Sequence, residues 1–444
     1  MRWRMRGTTS RSSTPSRPIV RGQTPSGSYA RSARLVDARS AMGRVRWSAA
    51  GLSALWLAAL IAIPLLLVGR GEPNMIDLEV YRTGGRAWLE GNQLYAKDFP
   101  GTLPGPQLPF TYPPIAAIIF GGLALIPLWL GKVVICVATF LAATGTCLAV
   151  ASKLGFRQAV LLSVVAGSAV VGVLSQPFRS TLDFGQLNAL LMVLVAVDCL
   201  AVRSDRFRGI LVGLAAAIKL TPAVFIIYFL VRRDWRAAIM TVVSFAFFTL
   251  LGLVFAFRDT KDYWFDALLD PSRVGGLAYA TNQSLRGVLH RLHPPAESKL
   301  WALLALAVLA LAVIAALRAV KARNDVAALV SVATAGLLIS PVSWAHHWVW
   351  VVPAMMLVGA AIWHASAWRY IPVFLGVGTV FFLGPFNWLP KEQDNEMHWN
   401  LWQHVVGNCY AWLGLVLLIV LAFYWRYDTD PKAVESVDEA AAAS

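Results

Sequence analysis

The 444-residue chain is 57% hydrophobic and only 14% charged, against roughly 45–50% apolar and about 25% charged residues in soluble domains, which excludes ordinary soluble, disordered and collagen-like classes. Its net charge of +15 suggests a nucleic-acid binder only until the charges are located. Residues 1–47 hold eleven Arg and one acid, Asp37, whereas residues 427–444 hold five acids and Lys432, so the N-terminal arm alone carries +10, the C-terminal tail −4 and the apolar span between them +9, and no nucleic-acid partner is expected.

Residues 1–47, rich in Arg, Ser, Pro and Gly, read as a disordered basic cytoplasmic tail facing anionic lipid head groups. The apolar run Ser48–Val68 follows without a small-residue cleavage site and is long enough to be a first transmembrane helix, its N-terminal side held in the cytoplasm by the arginines. Further apolar runs centre near Gly121, Ala142, Val170, Leu191, Gly213 to Ile227, Phe247, Ala307, Val332, Pro353, Val377 and Leu417. The chain therefore reads as an all-α polytopic membrane protein, with about twelve spans over residues 48–426. An even number makes the acidic tail, 427–444, cytoplasmic as well. The polar segments 69–111, 258–298, 340–345 and 387–404 then lie outside. This alternation leaves Arg203–Arg208 outside, against the positive-inside preference. A broken or non-spanning segment is expected to resolve the conflict, either at Val160–Ser175, which is short, or at Gly209–Val231, which holds Lys219 and Pro222 near its middle. Cys136, Cys147, Cys199 and Cys409 all fall in apolar runs without CxxC spacing and read as small fillers. No internal repeat is evident.

Four polar clusters stand out against this apolar background. In the first outer loop, Ile76-Asp77-Leu78-Glu79-Val80-Tyr81-Arg82 is a short amphipathic stretch ended by Gly84-Gly85; as a helix it puts Asp77 and Tyr81 on one face and Glu79 on another. The loop returns to the membrane through Pro109-Phe110-Thr111-Tyr112-Pro113-Pro114, where two prolines fix the backbone. The second cluster, Gln176 to Asn188, sets Arg179, Asp183, Gln186 and Asn188 beside hydrocarbon. That is costly unless they pair with one another, a neighbouring helix or a ligand; an Asp183 cap paired to Arg179 is the plain alternative. Lys219 has no acid within ten residues, and a lysine at mid-bilayer costs roughly 2.5–3.5 kcal/mol. It calls for an anion such as phosphate, or an internal partner, unless it snorkels to an interface. The fourth cluster, Ser340 to Trp350, carries His346-His347 among Trp344, Trp348 and Trp350. Adjacent histidines face different ways on a helix, which disfavours a two-His metal pair. One carboxylate, several cations and a set of amides near one membrane face suit an enzyme acting on a lipid-linked phosphosugar.

The ordered motifs Ile76–Tyr81, Pro109–Pro114, Arg179-Ser180-Thr181 with Phe184–Asn188, Lys219–Pro222, Asn282–Gly287 and Ser340–Trp348 resemble the polyprenol-phosphate-mannose-dependent α-mannosyltransferases of mycobacteria and their relatives. This is glycosyltransferase family 87 of the GT-C superfold, and the resemblance covers roughly residues 74–353. It implies a GT-C fold with an outward-facing active site in the plasma membrane and both termini cytoplasmic. It implies inverting transfer of mannose from polyprenyl-phosphate-mannose to an α-(1→2) linkage on a lipid-anchored mannoside, by phosphatidylinositol mannoside elongation or by branching of lipomannan and lipoarabinomannan. The insertion Ala96–Gln107 leans toward the branch-adding members. By match to the family, Asp77 is the general base and His346 or His347 assists at the donor phosphate. Lys219, Arg179, Gln186, Asn188, Asn282 and Gln283 are assigned to donor phosphate or sugar contacts from position and chemistry, and Tyr81, Tyr112 and Trp344 complete the substrate-binding set. Donor, glycolipid acceptor and membrane lipids are the partners, with neither cofactor nor metal expected. An arabinofuranosyltransferase using polyprenyl-phosphate-arabinose, or a non-enzymatic glycolipid translocase, are the alternatives.

Overall fold

The computed structural model describes residues 74–425, apart from positions 102, 271, 272, 274 and 392. The two tails and the Ser48–Val68 run fall outside these residues. The described chain is helical; its one β-type pairing is an isolated antiparallel bridge between Asn282 and Trp344. Each of the eleven later apolar runs is occupied by helix.

Only four helices, Leu128–Ala151, Trp235–Phe255, Glu297–Lys321 and Ala345–His364, are individually long and apolar enough to cross a membrane. The number is six if each of two bent pairs counts as one span. The expected count of about twelve spans is thus not reproduced by helix length among the described residues. Pro114–Ala124, Asn188–Leu200 and Asp325–Ile339 have 11, 13 and 15 residues, so the shortest extends only about 17 Å against a hydrocarbon core of about 30 Å. Both suspected segments are broken. Val160–Val173 turns 65° into Gln176–Phe184. The helix Ile210–Ile218 ends where Lys219 becomes extended (φ −146°, ψ 125°), and the chain resumes as a 3₁₀ turn, Thr221–Phe225, and a short helix, Ile226–Val231.

Side-chain size is sorted in the sense that a membrane requires. On Trp235–Phe255 the buried stripe is Ala237, Ala238, Thr241, Ser244 and Gly252, while Ile239, Val242, Phe247, Leu250 and Val254 are exposed. Glu297–Lys321 likewise buries Ala312, Ala315, Ala316 and Ala319 and exposes Leu303, Leu306 and Leu317. Small residues let helices approach closely, and large apolar ones are left for lipid. Asp325–Ile339 is buried almost throughout and forms the centre of the body. The cysteines are unpaired, three of them buried.

One expectation fails instructively. The amphipathic stretch does not end at Gly84-Gly85 but continues as a helix from Ile76 to Leu89. Glycine here serves contact instead of termination: a Cβ on Gly84 would enter the Phe110 ring, and one on Gly85 would lie 2.5 Å from the backbone carbonyl group of Phe120. The Pro114–Ala124 helix therefore lies directly against this one, locked further by Arg82, which donates to Leu123 O and Ile126 O beyond its C-terminus.

Gly85→Ala is expected to destabilise the fold by about 1–3 kcal/mol through overpacking, seen as a lowered melting midpoint in detergent. Gly122→Ala, whose added Cβ would meet open space, should be neutral or slightly stabilising.

Candidate active site

The site begins where the Ile76–Leu89 helix starts. Its first turn docks on the turn between Gln176–Phe184 and Asn188–Leu200: Met75 N donates to Asp183 O (3.1 Å). Gly185, at φ 69°, leaves room for Leu78, whose Cβ would lie 2.8 Å from any Cβ at that position. Only a residue tolerant of positive φ and without a side chain fits there. The docking sets Asp77 opposite Gln186, and Gln186 Nε2 donates to Asp77 Oδ2 at 2.7 Å. Tyr81, one turn along on the same face, donates to Gln186 Oε1 at 2.9 Å, and its hydroxyl lies 2.9 Å from that of Tyr112. Burial pushes the Asp77 carboxyl above the ordinary carboxylate range, opposed by the Gln186 hydrogen bond and the nearby Lys219 cation.

Lys219 is the second pole. At the helix break its Nζ lies 3.3 Å from Asn188 Oδ1 and 3.2 Å from His347 Nε2, and 5.4 Å from the centroid of the Tyr112 ring. An ammonium group only donates, so His347 accepts at Nε2 and carries its proton on Nδ1. The snorkelling alternative is thereby set aside, since the amine turns inward to protein partners. Asn188 Nδ2 (3.0 Å) and Thr181 Oγ1 (3.2 Å) both donate to His346 O, pinning the 3₁₀ turn Ala345–Trp350 that presents the pair. The two imidazoles are edge-to-face at 4.8 Å. His346 is buried against Phe184, and its Nε2 has no hydrogen-bond partner among the described residues. A small cavity of about 70 Å³ abuts this cluster, with Asn188, Thr221, Ser343 and His347 at its polar edge. It shares Leu337 and Trp350 with an apolar crevice of about 800 Å³ between Val351–His364, Ile371–Leu383 and Cys409–Ile419.

The structure thus gathers Asp77, Tyr81, Tyr112, Gln186, Asn188, Lys219, His346 and His347 into one constellation. It does not gather the other four. Arg179 donates to Phe382 O and lies over the Phe382 ring, while Asp183 is exposed and caps nothing. Asn282 and Gln283 are fully buried with both ends of each amide occupied. Asn282 Oδ1 accepts from Ser343 N (3.0 Å) and its Nδ2 donates to Leu277 O; Gln283 Nε2 donates to Ala280 O and Gly407 O while its Oε1 accepts from Tyr410 N. Trp344 bridges to Asn282 and meets Tyr279 edge-on. Asn282, Gln283 and Trp344 instead form a clamp between the 278–284 loop and the histidine segment. Sequence reasoning missed the anchor of that clamp, Arg291, which is buried and donates to Ala278 O, Tyr279 O, Asn282 O and Asn408 Oδ1. Its one legible signal was a cation on the apolar side of a short amphipathic helix. Among the described residues no group of three or more His, Cys, Asp or Glu side chains is placed to hold a metal ion.

Residues 110–341 match the model of glycosyltransferase family 87. Tyr112, Gln186, Asn188 and Lys219 fall inside that stretch; Asp77, Tyr81 and the histidines flank it. The chain is 36% identical over 385 residues to a polyprenol-phosphate-mannose-dependent alpha-(1-2)-phosphatidylinositol mannoside mannosyltransferase of Mycobacterium tuberculosis, covering 82% of this chain and 89% of that protein. It is 35% identical over 409 residues to a protein of the same description from Mycolicibacterium smegmatis, covering 87% and 92%. A phosphatidylinositol pentamannoside mannosyltransferase of Mycobacterium tuberculosis matches at 36% over 293 residues, 64% of this chain and 66% of that protein. No solved structure matches.

A buried clamp and a partly exposed surface contact respond differently to truncation. Asn282→Ala should cost about 1–3 kcal/mol of folding stability by orphaning buried backbone groups, whereas Arg179→Ala should change the melting midpoint little; thermal denaturation of the purified variants compares them.

Proposed function

The chain belongs to glycosyltransferase family 87, and on that footing we propose that it transfers mannose from polyprenyl-phosphate-mannose to a phosphatidylinositol mannoside, forming an α-(1→2) linkage with inversion. The acceptor follows the printed descriptions of the relatives; branching of lipomannan or lipoarabinomannan rests on the Ala96–Gln107 insertion alone and is the weaker reading. The carrying observation is that one carboxylate, Asp77, held by Gln186, and one cation, Lys219, over the Tyr112 ring, lie within electrostatic reach of each other.

A single displacement needs these two poles. Asp77 takes the proton of the attacking acceptor hydroxyl while its oxygen bonds to the anomeric carbon, and the bond from that carbon to the phosphate oxygen breaks on the opposite face. The β-linked donor then gives an α product. The negative charge on the departing polyprenyl phosphate develops beside Lys219, whose orientation Asn188 and His347 fix in advance. The unpartnered His346 Nε2 and the Nδ1–H of His347 are the further polar groups available to the donor. The apolar crevice next to the small cavity supports a substrate with a long hydrocarbon chain. Among the described residues no second carboxylate accompanies Asp77 as a retaining mechanism requires. A GT-C arrangement of about twelve spans belongs to the same proposal, with an outward-facing site, cytoplasmic tails at 1–47 and 427–444 and a catalytic body over 48–426. So does independence of any cofactor.

Purified protein given polyprenyl-phosphate-mannose and mannosylated phosphatidylinositol should yield a new α-(1→2)-mannose, with or without EDTA. Asp77→Asn, folded normally, should lose about 10²–10⁴-fold in turnover. Substantial transfer by that variant, or transfer of arabinose and not mannose, overturns the reading. Lys219→Met should lower turnover by about tenfold or more while leaving the acceptor KM within about twofold; an unchanged donor titration and kcat would remove Lys219 from the leaving-group site.

A further inference from the structure

We infer that Gln186 is a positioning residue for Asp77, and that Tyr81 and Tyr112 act on the reaction through it instead of touching the sugar. What Asp77 does rests on the transferase reading; how it is held does not.

The hydrogen-bond chain has a single direction. An ionised carboxylate only accepts, so the end of Gln186 facing Asp77 Oδ2 at 2.7 Å is the amide nitrogen. Its oxygen then faces the other way and needs a donor, which Tyr81 supplies at 2.9 Å. Having given its hydrogen to Gln186, the Tyr81 oxygen accepts from Tyr112 at 2.9 Å. With Tyr81 at 0%, Gln186 at 5% and Tyr112 at 7% exposure, the links among these three side chains are shielded from bulk water. A swapped amide would set its oxygen against the carboxylate at 2.7 Å, two acceptors with no hydrogen between them. The phenols thus act as an orientation lock. Phenylalanine would satisfy the packing, since Tyr81 stacks on Phe120 at 4.6 Å; the hydroxyls are what the lock needs. At the other end, Oδ2 is occupied and Oδ1 accepts from no side chain among the described residues, which leaves one oxygen, in one orientation, for the acceptor's proton. A misplacement of about 1 Å at such a group can cost about 10²-fold in rate.

The lock also sets the charge state of the base. The groups facing Asp77 are the Lys219 cation across the site and the neutral phenols of Tyr81 and Tyr112. Glu79 and Arg82 lie on its own helix, and exposed Asp183 on the Gln176–Phe184 helix. Donation from Gln186 stabilises the anion, so releasing the amide disfavours the charged form, and the carboxyl titrates at higher pH than in the native chain.

The test is a double-mutant cycle of Tyr81→Phe and Gln186→Leu, with kcat, donor and acceptor KM and the pH profile measured for each. The Asp77 carboxyl titration is followed separately by infrared difference spectroscopy against Asp77→Asn. Expected are a roughly tenfold lower kcat for Tyr81→Phe, a larger fall for Gln186→Leu, and both KM values within about twofold. The acid limb should move to higher pH in both, and the double variant should be no worse than Gln186→Leu alone, because the phenol acts through the amide. Multiplicative losses, a raised KM, or an unmoved Asp77 titration would overturn the inference and return the tyrosines to the sugar site. If Gln186→Leu does not fold, Tyr112→Phe replaces it, with a smaller effect in the same direction. The infrared titration needs no turnover: a native chain that transfers no mannose counts against the transferase reading, while a shifted titration in Tyr81→Phe still supports the lock.

Discussion

A charged amine and a carboxylate inside an apolar body must be met by fixed dipoles, because water is not there to solvate them. The site is arranged around that requirement. Lys219 is reached by Asn188 and His347 and lies over the Tyr112 ring, and Asp77 is reached by Gln186. These partners come from helix ends and breaks, Gln186 and Asn188 from one turn, so satisfying two charges fixes the mutual placement of five separate segments.

The helix break at Lys219 is part of the same solution. A continuous helix from Gly209 to Val231 would carry the lysine on a regular face, at a cost set by the depth of the bilayer. With Lys219 extended and Pro222 opening a 3₁₀ turn, the side chain leaves the helix axis and meets the histidine segment. Preorganisation follows: the cation and the base hold their places before substrate arrives, so reorganisation at the moment of bond breaking is small. The clamp built by Asn282, Gln283 and Arg291 extends the effect outward by fixing the backbone that leads into Ala345–Trp350.

Packing supports the site through small residues. The close approach at Gly84, Gly85 and Gly185 brings the Ile76–Leu89 helix against two neighbours at once and, with the Met75 N–Asp183 O bond, puts Asp77 within hydrogen-bond distance of Gln186. The large apolar side chains point outward, where lipid takes them at no cost; close packing and hydrogen bonds between helices supply the cohesion that water-driven burial gives a soluble protein.

Much of this was legible in the sequence. The low charged fraction made every buried polar residue conspicuous, so Asp77, Gln186, Asn188, Lys219 and the His pair could be picked out one by one, and alternation along a helix correctly put Asp77 and Tyr81 on one face. The breaks near Ser175 and Lys219 were also readable, from shortness and from Pro222. The sequence could not assign partners. Asn282 and Gln283 share the residue types of Gln186 and Asn188, yet the first two are spent on backbone groups while the others reach the charges. Gly84-Gly85 read as a helix end because local propensity takes no account of a neighbouring helix. Residue type and period fix which side chains are costly to bury, a local property that sequence determined by itself. Which dipole meets which charge depends on contacts between segments far apart in the chain, and only the tertiary structure decided that.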